Sequence, residues 1–123
     1  MVYPIALALA VHAEAIVYCL KNGIEYIACG YSGYQAKEDR YIEQREDFFE
    51  LMKKFVGEYG IHYHAPVIKK SKKEIIDRLE MHSVSSNSLE NKSLFGGIDF
   101  DTEKALDYWN ESLPITKAYI AQQ

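Results

Sequence analysis

An almost uncharged apolar stretch near the N-terminus limits what this chain can fold into. Residues 5–20 read IALALAVHAEAIVYCL, with Glu14 as the single charged side chain. A proline precedes the stretch and an Asn-Gly pair follows it, which are typical helix start and stop signals, so the sequence predicts a helix over residues 4–21. A signal peptide is not expected because no Lys or Arg comes first, and His12, Glu14 and Tyr18 make a membrane span unexpected. A helix that is apolar on every side is typically buried on every side.

The composition is that of one globular domain. The chain has 123 residues, of which 48% are hydrophobic, and a net charge of -4. The acidic balance argues against a nucleic-acid or membrane-surface binder. Cys19 and Cys29 form no metal-spaced set, so neither a disulfide scaffold nor a four-cysteine zinc site is expected, and a reducing cytoplasm is the simplest location.

The first 80 residues alternate between helical and extended patterns. Residues 24–30 are short, apolar and bounded by glycines, which predicts a strand covered on both faces. Apolar side chains then recur at helical spacing up to residue 59, and residues 61–68 predict a second strand. Ser71 with Glu74 forms a capping box that opens a third helix. This alternation predicts an α/β fold with a short parallel sheet.

The remainder of the chain is less regular. We predict a single domain over residues 1–123, with a polar loop at residues 81–100 and a helical segment at 101–123 that begins at Asp101 and breaks at Pro114. Two strands cannot cover themselves, so either residues 83–100 add strands or another chain completes the sheet.

One candidate binding group lies at the start of the second helix. Tyr41, Arg45 and Phe48 fall at spacing i, i+4, i+7, which places two aromatic rings and a guanidinium on one helix face. Such a group can stack a planar ring and bind an anion. The alternative is an Arg paired with a neighbouring carboxylate above ordinary core aromatics.

A second candidate is a run of lysines around Ser71. Ser71 and Lys72 lie at a helix N-terminus, where the dipole favours a phosphate. The alternative, which charge alone favours, is that the lysines are solvated and resist aggregation. His62 and His64 share one strand face, but no third ligand accompanies them, so no metal is predicted. No spacing identifies a catalytic residue, and the catalytic groups stay unknown.

In order and content these segments resemble the C-terminal half of the PP-loop ATP pyrophosphatase superfamily, in particular the 7-cyano-7-deazaguanine synthases of queuosine biosynthesis. Their Tyr-Pro-Asp-Cys-Arg-x-x-Phe segment corresponds here to Tyr41 through Phe48, with Tyr, Arg and Phe kept. Their Thr-Pro-Leu strand end and Ser-Lys-x-Glu-Ile helix start correspond to the segments at Pro66 and Ser71. The resemblance covers about residues 3–79.

The resemblance implies a Rossmann-like (adenine nucleotide alpha hydrolase-like) half-domain. It also implies that Tyr41, Arg45 and Phe48 bind a purine-like substrate and that Ser71 and Lys72 face a phosphate. The family's Ser-Gly-Gly-x-Asp-Ser loop belongs to an N-terminal half that this sequence does not contain, and its zinc cysteines have no counterparts after residue 83. ATP is therefore implied only through a partner chain, and zinc is not expected.

Two hypotheses follow from the sequence. In the first, the chain is a split or truncated subunit of an ATP-dependent, C–N bond-forming ligase that makes the deazaguanine nitrile, with a protein partner supplying the missing half. In the second, it is a non-catalytic, homodimeric binding or regulatory module with a degenerate PP-loop fold. Residues 5–20 favour the second, because in a small domain a symmetric partner can bury an apolar helix face.

Overall fold

The computed structural model describes residues 3–32, 45–84 and 102–123. In chain order these residues form a long helix, a strand, a helix, a second strand and two further helices. The bounds are α1 (Tyr3–Asn22), β1 (Tyr26–Ala28), α2 (Glu46–Gly57), β2 (His62–His64), α3 (Lys72–Met81) and α4 (Thr102–Ala121).

The predicted fold class is wrong. The sequence indicated a Rossmann-like α/β half-domain, whereas 67% of the described residues are helical and their sheet has two strands. Each strand is three residues long, so the sheet offers too little surface for helices to cover both faces. The two 20-residue helices, α1 and α4, pack instead on each other. Most of the segment in which further strands were expected, residues 85–100, lies outside the described residues.

Helix α1 forms where the sequence predicts it. It ends at Asn22, and Gly23 follows with a φ of +65°, a left-handed conformation that glycine adopts without strain. The inner face of α1 carries the side chains that are buried against the rest of the protein. These are Ile5, Ala8, Leu9, His12, Ala13, Ile16, Val17 and Cys19.

The two strands run parallel, with Tyr26 opposite His62 and Ala28 opposite His64. Because side chains alternate along a strand, Tyr63 points inward and is buried, while its two neighbours in β2 are exposed. Tyr26 is 64% exposed, so the expectation that β1 is covered on both faces is wrong. The outer face of this sheet is uncovered within the part of the chain that the structure describes.

Helix α2 supplies the centre of the core. Its apolar side chains recur at helical spacing, as the sequence predicts, and five of them are buried. Phe48 and Phe55 each lie edge-on to Trp109 of α4, with ring centroids 6.4 and 6.5 Å apart. At the far end of α2, Glu58 forms an ion pair with Lys117, with 2.6 Å between Oε2 and Nζ. Helices α2 and α4 are therefore joined by both aromatic and ionic contacts.

The predicted break at Pro114 is wrong, because α4 continues through it to Ala121. A proline inside a helix removes the donor for the carbonyl four residues earlier, here that of Asn110. Asn110 is exposed, so water can satisfy this carbonyl. The helix therefore loses one hydrogen bond at an exposed position. The predicted helix start at Asp101 lies outside the described residues.

Candidate functional site

The structure places Arg45 at the N-terminus of α2, beside the start of α4. Its guanidinium donates to the Thr102 hydroxyl at 3.0 Å and to the Asp47 carboxylate at 2.7 Å. It also lies 5.9 Å from the centroid of the Phe48 ring. This is the arrangement of an Arg paired with a carboxylate above core aromatics, and it fastens α2 to α4.

The other two members of that candidate group do not add a ligand surface. Phe48 is 2% exposed and packs against Trp109, so protein encloses its ring. Tyr41 lies outside the described residues. The substrate-binding role of Tyr41, Arg45 and Phe48 therefore stays a prediction, and the described geometry explains Arg45 and Phe48 as structural residues.

Ser71 serves as the N-cap of α3. Its hydroxyl accepts from the Glu74 backbone N–H at 3.2 Å, and the Glu74 carboxylate accepts from the Ser71 N–H at 3.3 Å. Hydrogen bonding from the Ser71 backbone N–H and, to a smaller extent, from the Ser71 side chain lowers the pKa of the Glu74 carboxyl, so a carboxylate already lies at the positive end of the helix. Lys72 is exposed at the first helical position. The predicted phosphate role of Ser71 and Lys72 thus has a competing anion in place.

A buried polar pair links α1 to the sheet. The His12 Nδ1–H donates to the Ala8 carbonyl at 2.7 Å, and the Tyr63 hydroxyl donates to His12 Nε2 at 2.6 Å. Burial lowers the pKa of His12 and raises that of Tyr63, where the Cys29 side chain adds to the effect. The imidazole is therefore neutral and satisfied, and the pair is a structural one beneath the surface.

The exposed side of the sheet carries an aromatic array. The Tyr26 ring lies nearly parallel to the rings of His62 and His64, with centroids 5.0 and 6.2 Å away. Among the described residues, no group of three or more His, Cys, Asp or Glu side chains could hold a metal ion.

Helices α1 and α4 expose bulky apolar side chains and share a groove. We call the surface formed by five of these side chains and the groove the α1–α4 face. Val11 is 56% exposed, Tyr18 63% and Ile115 72%. The side chains that define the face are Leu7, Val11, Tyr18, Ile115 and Tyr119, and the same two helices also expose Leu20 and Leu106.

The groove in this face has a volume of about 330 Å³. Alanines line its α1 wall at positions 6, 10 and 13, opposite Tyr108 and Ile115 of α4, so small side chains create the space. Glu14 brings a charge to the groove, and the Tyr119 hydroxyl donates a hydrogen bond to its carboxylate. Single exposed apolar residues are ordinary, but a contiguous group of this kind is typical of interaction sites.

The sequence predicted an apolar helix and missed this face. Residues 5–20 show that α1 is apolar all round, but which half stays exposed depends on how α1 packs. No pattern in the sequence indicates that the exposed residues of α4 join those of α1. The helix Ile5–Asn22 also has the length and apolar composition of a membrane span, with a mean hydropathy of 1.4, although 39% of it is buried inside the protein.

Searches of family models, curated proteins and solved structures returned no match to this chain. The resemblance to the PP-loop superfamily therefore rests on the sequence segments alone and stays a prediction.

Proposed function

We propose that this chain is a non-catalytic interaction module that docks another polypeptide on its α1–α4 face. The observation that carries the proposal is that α1 is apolar on two opposite sides. Its inner side forms the core, whereas its outer side holds Leu7, Val11 and Tyr18 in contact with water. A surface of this kind gains free energy when a partner removes it from water, by roughly 25 cal/mol per Å² of apolar area.

The inner side of α1 favours a protein partner over a membrane. Ile5 and Ile16 are fully enclosed by the protein, and His12 is bonded to Tyr63 of the sheet. Inserting α1 across a bilayer would remove these side chains from the core and break that bond. A docking helix uses only the outer side and leaves the core intact.

The described polar groups also favour binding over chemistry. The buried titratable side chains of His12 and Tyr63 satisfy each other and do not line the groove. Glu14 at the groove is engaged by Tyr119. This arrangement suits a surface that binds another chain rather than one that carries out acid–base catalysis.

The hypothesis of a split deazaguanine synthase, with ATP and a purine supplied in an assembly, remains an untested prediction. The half-domain fold on which it depended is not the observed fold. Both the synthase hypothesis and the docking proposal expect a protein partner, but they do so on different structural grounds.

The test is to purify the tagged chain from its own cells and to weigh its complexes by native mass spectrometry. We expect the native chain to be recovered in a complex. The Val11→Lys variant should be recovered as a free chain with an unchanged melting temperature. The lysine would place an unpaired ammonium in the interface, which costs several kcal/mol and weakens binding at least about 100-fold.

The matched control is Met81→Lys on α3. Met81 is 74% exposed and lies outside the α1–α4 face, so this variant makes the same change on another surface. It should retain the complex. A native chain that is recovered alone, or a Val11→Lys chain that keeps its complex, would contradict the proposal.

A further inference from the structure

This inference concerns the free edge of the two-stranded sheet, none of whose residues belongs to the α1–α4 face. We propose that an extended segment of another polypeptide adds to the sheet as a third strand, beside Tyr26 and Ala28 of β1. What this edge recognises is the hydrogen-bonding pattern of an extended peptide backbone. The inference goes beyond the proposed function and does not rest on it.

The hydrogen bonds between the strands show which backbone groups of β1 remain available. The Glu25 carbonyl accepts a 2.8 Å bond from β2, and the Cys29 N–H donates a 2.8 Å bond to β2. The backbone groups of an extended strand alternate between its two sides, so every second residue from Glu25 to Cys29 bonds to β2. The N–H and C=O groups of Tyr26 and Ala28 therefore point away from β2.

These four backbone groups lie at an accessible edge. Within the ranges that the structure describes, none of them has a hydrogen-bond partner. Ala28 is exposed and has only a methyl side chain, so water reaches its backbone. The other edge of the sheet differs, because the outward groups of β2 belong to Tyr63, which is 3% exposed. Of the two strands, β1 is therefore the one to which a further strand can be added.

The edge also lacks the features that usually prevent strand pairing. Native proteins protect exposed edge strands with lysines, prolines or bulges. Residues 24–30 read IEYIACG and contain no lysine, arginine or proline. The register between the strands runs from Tyr26 to Ala28 without a bulge. An accessible edge without such protection is a template for an extended segment of another chain.

The side chains of β1 indicate what the added segment carries. Tyr26 lies on the outer side of the sheet and is 64% exposed. Ile27 faces the inner side, where it is partly buried against the core. An added strand places alternate side chains next to these two residues. We therefore expect an alternating segment, with a β-branched or aromatic side chain beside Tyr26 and an apolar one beside Ile27.

Amide hydrogen exchange of the full chain, followed by NMR, tests the inference residue by residue. The probe is the acetylated and amidated peptide Lys-Thr-Val-Tyr-Val-Thr-Lys at about 1 mM. In the free chain we expect Tyr26 and Ala28 to exchange much faster than Ile27 and Cys29, which bond to β2. The peptide should slow exchange at Tyr26 and Ala28 at least about threefold, since only the free chain exchanges, and leave α3 unchanged.

Two sets of variants separate backbone pairing from side-chain contact. Peptides that are N-methylated at positions 2 and 4 or at positions 3 and 5 block opposite sides of the strand, so one should keep the protection and the other should lose it. In the chain, Ala28→Pro removes one outward N–H without removing a bond to β2 and should abolish the protection of Tyr26. Ala28→Val keeps that N–H and should bind the peptide as the native chain does.

The contrary outcomes are equally specific. Slow exchange of Tyr26 and Ala28 in the free chain, or equal exchange with and without the peptide, overturns the inference. Two methylated peptides with equal effects overturn backbone pairing. Protection of these amides by self-association of the chain overturns another polypeptide as the partner in favour of a second copy. Peptide protection that is lost in Val11→Lys overturns the edge as the site and leaves docking on the α1–α4 face standing.

Discussion

His12 is the polar side chain in the middle of the inner face of α1, and it ties that helix to the sheet. Both ring nitrogens have a partner, one within α1 and one on Tyr63 of β2. A buried polar group costs free energy when it loses its partner, because no water replaces the bond. The pair therefore fixes where β2 lies along α1, which apolar contacts alone would specify less well.

Removing the Tyr63 hydroxyl tests this role. Tyr63→Phe should lower the free energy of unfolding by about 1–3 kcal/mol, because it leaves the His12 Nε2 acceptor buried without a donor. Urea denaturation measures the change. The exposed Tyr26 is the matched control, and Tyr26→Phe should change the free energy by less than about 0.5 kcal/mol. Equal effects of the two substitutions would show that the buried bond contributes little.

At the scale of the element, the sequence predicts a helix well when its signals are local. The capping box at Ser71 sets the start of α3, and α1 and α2 form where proline, Asn-Gly and apolar spacing place them. The predicted break at Pro114 is wrong because the free-energy cost of a proline inside a helix depends on whether the carbonyl that loses its donor reaches water. That is a property of the folded molecule. The length of the strands and the size of the sheet could not be predicted for the same reason, since both depend on what packs against the sheet.

Helix α3 illustrates an element that depends on its cap. None of its side chains is fully buried, so local interactions contribute much of its stability. Ser71→Ala should destabilise the helix by about 1 kcal/mol and speed amide hydrogen exchange in α3 about fivefold, with little change in α2. Lys72→Ala is the control and should leave exchange near its native rate. A larger effect from Lys72 than from Ser71 would contradict the capping role.

At the scale of the whole molecule, the helices could be predicted and their assembly could not. Residues 5–20 indicate an apolar helix, but its pairing with α4 depends on contacts between residues about 100 positions apart in the sequence. The predicted binding role of Arg45 and Phe48 stays untested. Their spacing could not show that Arg45 links α2 to α4 or that Phe48 is enclosed in the core. The α1–α4 face exists only once both helices are in place.

The pH dependence of global stability follows from the buried imidazole. The unfolded chain titrates His12 near pH 6.5, and burial lowers the pKa in the folded chain. Below about pH 6.5 the unfolded chain binds a proton at His12 that the folded chain does not bind. The free energy of unfolding is therefore unaffected by His12 above pH 6.5 and falls as the pH decreases from 6.5 towards the pKa of His12 in the folded chain. The slope is at most about 1.4 kcal/mol per pH unit.

Urea unfolding between pH 8 and pH 5 measures that slope. His12→Gln should flatten it, since the titrating group is gone, even if its overall stability is lower. His82 is exposed at the end of α3, and His82→Gln should keep the native slope. A His12→Gln chain with the native slope would assign the pH dependence to other groups.

The single tryptophan gives the molecule a built-in optical reporter. Trp109 is buried between Phe48 and Phe55, on the side of α4 that faces α2. Its fluorescence should shift to longer wavelength when α2 and α4 separate, and should stay unchanged when a partner leaves the opposite, outward surface. Emission from one native residue therefore distinguishes dissociation of an assembly from unfolding of the chain, without any added label.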